Sequence, residues 1–222
     1  MSETIRPLNQ TIDLKGQEKQ ILKELEKLFG RIPYVLGNSY TGFTFTDQAY
    51  PELHPIQPGV YQAWITKDCQ SRRLKGTWQL AHELAHLVAP ATLALDTYFE
   101  EGMVMSLQLR YMERFMKWRE GRDYVEASRA QWRMGDTAKY GRALDDVCEL
   151  ETQCGRDVVV LAKELIEQHS VRSFGLLTLD QFQSTTGIES IVLLERLLER
   201  FPPFKLSGQP PVDSASSSGD EQ

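Results

Sequence analysis

Residues 79–88, Gln-Leu-Ala-His-Glu-Leu-Ala-His-Leu-Val, constrain this chain more than any other stretch. They hold a His-Glu-x-x-His pattern made by His82, Glu83 and His86. On a helix, side chains at i and i+4 sit one turn apart on the same face, so both imidazoles can share one metal ion. Glu83, next to the first His, can reach water on that ion and take its proton. The chain has four His, and two of them fall here. At this composition the pattern arises by chance about 0.006 times per chain. The competing reading is two ordinary helix His with a carboxylate between them. The apolar flanks count against it, because imidazoles set among Leu and Ala need polar partners.

With 222 residues the chain suits one domain, or one domain with a helical extension, and can bury a sizeable core. The net charge of −6 argues against nucleic acid as a partner, since phosphate binding needs clustered cations. The one small basic run, Arg72-Arg73-Leu74-Lys75, reads as a solvated helix start. Cys69, Cys148 and Cys154 make an odd set without C-x-x-C spacing, which suits a reducing compartment and no disulfide framework. No apolar signal region stands near Met1 and no run approaches 18 apolar residues. The expectation is a cytoplasmic protein with no membrane contact.

Periodicity predicts an α+β fold. A helix is expected over 15–29, with Gly30 as its stop, and strands over 34–36, 41–46 and 60–66. The Pro-rich run 51–59 reads as loop, with His54 as a surface residue in it. Helices follow over about 74–88, 97–118, 137–153, 157–169, 179–184 and 188–201, and 122–135 reads as helix or ordered loop. His169 falls at a helix C-terminus, where a cation favours the dipole. The sheet is expected to be small and twisted, with strand 60–66 at its edge, where an extended peptide could pair. The stretch from Lys205 onward, rich in Pro, Ser, Gly and acid, reads as a disordered tail.

A catalytic zinc takes three protein ligands and leaves one position for water, so the pair of His needs a third. The Met-turn zincins would place Gly and His where this chain has Ala89 and Thr92, which excludes that class. The next candidates are the carboxylates Asp96, Glu100 and Glu101. At Phe99-Glu100-Glu101-Gly102-Met103 the chain resembles the Glu-zincins, the thermolysin- and aminopeptidase-like group, through the aromatic-x-Glu-Gly-apolar signature of its aminopeptidases. The resemblance is specific over 79–103 and loose over 80–201. It implies a zincin-like core over 1–121, in which a small N-terminal sheet packs on the active-site helix. A helical C-terminal subdomain over 122–204 and the tail 205–222 would follow. It also implies that Glu101 is the third ligand to Zn2+, and that Gly102 lets helices approach closely. A weaker similarity around Tyr140-Gly141 implies that Tyr140 stabilises the oxyanion, with Tyr111 and Tyr124 as competitors. The aminopeptidases' Gly-x-Met-Glu-Asn signature for a substrate amine is absent.

The function implied is a zinc metallopeptidase that hydrolyses peptide bonds with a metal-activated water and Glu83 as general base, acting on a peptide or protein substrate. The alternative is a non-catalytic, metal-binding relative that acts through protein–protein contacts.

Overall fold

The computed structural model describes residues 12–30, 39–89 and 96–202. The architecture is α+β: among the described residues, eight α-helices accompany one three-stranded sheet. The expected strand at 34–36, the connector at 90–95 and the tail from 205 lie outside them. No helix among the described residues is long and apolar enough to cross a membrane.

Helix α1 (Leu14–Phe29) starts where the Asp13 carboxylate accepts from the amides of Lys15 and Gly16, and it stops at Gly30, whose φ of 83° suits only glycine. Its buried face is Leu14, Ile21, Leu25 and Phe29, spaced at one and two helical turns.

The sheet corrects two sequence expectations. Strands β1 (Ser39–Thr46), β2 (Glu52–Gln57) and β3 (Val60–Thr66) run in the order β1-β3-β2, with β1 parallel and β2 antiparallel to β3. Strand 60–66 is therefore central rather than an edge, and the complete burial of Ala63 and Ile65 follows from that place. The run 52–57 is a strand rather than loop. Pro55 pairs with Tyr61 there, which an edge strand tolerates because proline's missing N–H can face away from the ladder. His54 sits on this strand with its ring stacked on Trp64 at 3.6 Å between centroids.

Strand β3 leads through a 3-10 turn at Lys67–Gln70 into the helix of the His-Glu-x-x-His pattern. Gln79 holds the two together: its Oε1 accepts from the Thr66 amide at 2.9 Å and from the Cys69 thiol at 3.2 Å. That helix, α2 (Arg73–Ala85), tightens at His86 into a 3-10 turn through Val88. The expected single α-helix thus changes pitch at the second His, whose backbone stays helical at φ −62° and ψ −20°.

Helix α3 (Tyr98–Phe115) is capped by Thr97, whose hydroxyl accepts from the Glu100 amide at 3.2 Å. Helices α4 (Arg119–Gln131), α5 (Ala138–Cys154), α6 (Val158–His169), α7 (Leu179–Thr186) and α8 (Ile191–Leu198) complete the fold. A Cβ on Gly102 would lie 2.3 Å from the Ala143 carbonyl oxygen and 2.5 Å from Val147 Cγ2. The close approach at Gly102 is therefore between α3 and α5, not between α3 and α2. One apolar core runs from Leu14 on α1 through Leu84, Phe99 and Leu150 to Leu197 on α8. An isolated bridge between Thr97 and Arg200 returns the chain after α8 to the start of α3.

Candidate metal centre

Helix α2 supplies His82 and His86 from consecutive turns, with ring centroids 5.1 Å apart. Helix α3 brings Glu101 against both. Its Oε2 lies 3.5 Å from His82 Nε2 and its Oε1 lies 3.7 Å from His86 Nε2. These three residues form a group that could hold a metal ion. Four ligands arranged tetrahedrally at bond lengths of 2.0–2.1 Å would stand about 3.4 Å apart, so the observed separations match such a set. Glu101 is 5% exposed, and its Oε2 has no hydrogen-bond partner. A buried carboxylate oxygen without a donor is costly unless a cation serves it. The residues present therefore fit a metal.

The other two carboxylates on that side are placed differently. Glu100 accepts at Oε1 from His86 Nδ1 at 3.0 Å, on the opposite edge of the ring from Glu101. Asp96 falls with His86 and Glu100 in a second, overlapping group, and its backbone carbonyl accepts from the Phe201 amide at 2.9 Å. Gln108, on α3 beyond Glu101, also lines this side, and its amide nitrogen donates to the Trp78 carbonyl at 2.8 Å. Both imidazoles turn Nε2 toward Glu101, and for His86 the Glu100 carboxylate holds the other edge of the ring, the arrangement typical of metal-ligating His.

Burial and charge act on every ionisable group here. Burial pushes the Glu83 carboxyl up to about 8, against the pull of His86 and with help from the nearby carboxylates. Burial likewise raises Glu101 and Glu100 to about 7. Burial lowers His82 to about 3, and the neighbouring His86 adds to that. For His86 burial opposes the charge, but the hydrogen bond to Glu100 and the carboxylates of Glu101 and Asp96 outweigh it and raise it to about 10. In the metal-free state the hydrogen bond to Glu100 and the surrounding carboxylates therefore favour the protonated His86 ring at neutral pH.

The centre opens into a cavity of about 690 Å³. Glu83 and Tyr140 both line it. The Tyr140 ring lies 6.5 Å from the His82 ring and packs on Phe201 at 5.1 Å. Burial, with the charges of Glu101 and Glu83, raises its phenol, so Tyr140 stays a neutral donor. Residues of β2, among them Glu52, Leu53 and Pro55, also line the cavity.

Sequence reasoning anticipated the pair of His, Glu83, Glu101 and Tyr140, and the structure brings all five to one cavity. It did not anticipate Gln108 or the pairing of Glu100 with His86. Gln108 lies seven residues after Glu101, on the same face of α3 two turns on, which is the one signal that could have suggested it. No protein-family model, no curated protein and no solved structure matches this chain.

Proposed function

We propose that the chain is a zinc-dependent metallopeptidase of the zincin type, with His82, His86 and Glu101 as metal ligands and Glu83 as general base. The observation that carries this reading is the convergence of the two Glu101 oxygens on Nε2 of both His, with a buried carboxyl at Glu83 beside the first of them. Two imidazoles and one carboxylate suit zinc better than calcium or magnesium, which prefer all-oxygen sets. When bound, such an ion acidifies a water molecule and polarises a carbonyl.

The chain's own residues supply the rest. A divalent charge beside Glu83 offsets the burial that raises its carboxyl, and favours the ionised form that accepts a proton from water. Glu83 then gives that proton to the leaving amine as the peptide bond breaks. Tyr140 donates from its neutral phenol to the oxygen that gains charge. Strand β2, at the sheet edge on the cavity side, offers backbone groups to an extended peptide, the part first assigned to strand 60–66.

Metal analysis together with cleavage of a peptide library tests this reading. The expected result is one zinc per chain and hydrolysis, with Glu83→Gln keeping the zinc and losing turnover. Zinc without hydrolysis would favour the alternative of a non-catalytic, metal-binding relative acting through protein contacts. Failure to bind any divalent ion would sink both.

A further inference from the structure

The cavity continues beyond the metal centre along α2. Lys75, Trp78, His82 and His86 all line it, and their three- and four-residue spacing puts them in file on one helix face. Trp78 stands one turn, about 6 Å, from His82. The wall facing Trp78 comes from α4 and the residue after it. Tyr124 sets its ring 5.6 Å from that of Trp78, edge-on at 70°, and the Trp132 ring lies 5.2 Å away, tilted by 33°. All three are half-buried and all three line the cavity.

Two hydrogen bonds to backbone carbonyls anchor this aromatic corner. The Trp78 carbonyl accepts from Gln108 Nε2 at 2.8 Å. The Trp132 carbonyl accepts from the Gly141 amide at 3.2 Å, and a Cβ on Gly141 would meet that oxygen at 2.5 Å. These bonds anchor the backbone of Trp78 and Trp132, and both side chains line the cavity. Charge divides the cavity along its length. The carboxylates Glu83, Asp96 and Glu101 gather at the metal end, and the ammonium of Lys75, bound by Asp68 at 3.0 Å, stands one turn beyond Trp78.

We infer that Trp78, Tyr124 and Trp132 form a specificity pocket for a bulky apolar side chain, aromatic or long aliphatic, within two residues of the bond that is cut. The 6 Å offset along α2 corresponds to about two residues of extended chain at 3.3 Å each. Three converging ring systems reward apolar area and stacking, whereas a polar or charged side chain placed among them loses its water. The existence of a scissile bond rests on the peptidase reading; the pocket's preference for apolar groups does not.

Binding separates the two. Peptides that differ only in carrying Phe, Leu, Ala, Lys or Glu at one position are titrated calorimetrically into Glu83→Gln protein with zinc added, position by position. At one position the Phe or Leu peptide is expected to bind at least tenfold tighter than the Ala peptide, the range for a well-filled apolar pocket. Adding Trp132→Ala reduces that ratio below twofold without weakening the Ala peptide, and Trp132→Phe restores it. Tyr124→Ala, from the rim on α4, is the second variant if Trp132→Ala does not fold. Equal affinities at every position, a preference for Lys or Glu, or a Phe preference that survives both substitutions overturns the pocket. If the wild type cleaves no peptide yet the binding preference holds, the peptidase reading fails and the pocket stands. Cleavage with no side-chain preference leaves the peptidase and removes the pocket.

Discussion

Glu100 Oε1 lies 3.0 Å from His86 Nδ1, while Glu101 Oε1 lies 3.7 Å from Nε2 of the same ring. Two consecutive residues of α3 therefore serve opposite edges of one imidazole. Their side chains diverge by about 100° around the helix axis, so each can meet only one edge. The Glu100 contact favours a proton on Nδ1, so that a metal ion displacing the other ring proton would meet the Nε2 lone pair on the Glu101 side.

This division of labour separates two adjacent substitutions. Glu100→Gln keeps an acceptor for Nδ1 and is expected to weaken metal binding by about 10- to 100-fold, the usual cost of losing a carboxylate behind a ligating His. Glu101→Ala removes a ligand and is expected to weaken it much further. Chelator competition on the two variants measures the difference. Equal losses would contradict the assignment of Glu101 as the ligand and Glu100 as its support.

Tyr140 is expected to act only when charge develops on the substrate. Tyr140→Phe should leave zinc content and KM close to wild type and lower kcat by about 10²–10³-fold, as for loss of one oxyanion donor. A kcat within twofold of wild type would assign that donation to another group.

Gly102 is set by steric contact between α3 and α5. Gly102→Ala drives a methyl into the Ala143 carbonyl, which lies 2.3 Å from the Cβ position. Overpacking of this kind costs about 1–3 kcal/mol. At about 2–4 °C per kcal/mol for a chain of this size, thermal melting should fall by roughly 2–12 °C. An unchanged melting temperature would show that the helices separate freely there.

Metal and protons compete at this centre, and the sign follows from the shifts. Glu83 (about 8) and Glu101 (about 7) lie above the ordinary carboxyl range, and His86 (about 10) lies above the ordinary imidazole range. A raised folded-state pKa contributes stability below the unfolded value, and that contribution is lost as pH rises through the folded value. Between about pH 6.5 and 8 the metal-free protein should therefore lose stability with rising pH. His82, lowered to about 3, is neutral throughout that window and does not oppose the trend. Metal binding displaces the same protons, so affinity should rise over that window and protons should be released. Calorimetry in buffers of different ionisation enthalpy reads the protons directly, and zero net release at pH 7 would contradict the scheme.

Much of the fold was legible because its determinants are local. Asp13, Thr97 and Asp157 cap the helices that follow them, and Gly30 and Gly155 end theirs. Strand β3 has the bounds its Val-Tyr-Gln-Ala-Trp-Ile-Thr run predicts. Pro55 misled, because proline excludes a central strand but not an edge strand, and which strand lies at the edge is a property of the assembled sheet.

By itself, the sequence determined that His82 and His86 share a face with Glu83 beside them, because helical periodicity fixes the direction of each side chain from the chain alone. Only the tertiary structure decided which carboxylate that face meets. The residues left Asp96, Glu100 and Glu101 as candidates, and only the resemblance at Glu101-Gly102 pointed to one of them. The crossing of α3 past α2, with α5 pressed against Gly102 from behind, turns one toward both Nε2 atoms and another toward Nδ1. The aromatic corner of Trp78, Tyr124 and Trp132 arose the same way, from residues up to 54 positions apart that meet only once α4 packs on α3 beside α2. Direction around a helix is set by bonds between neighbours, whereas distance between helices is set by the packing of the whole core.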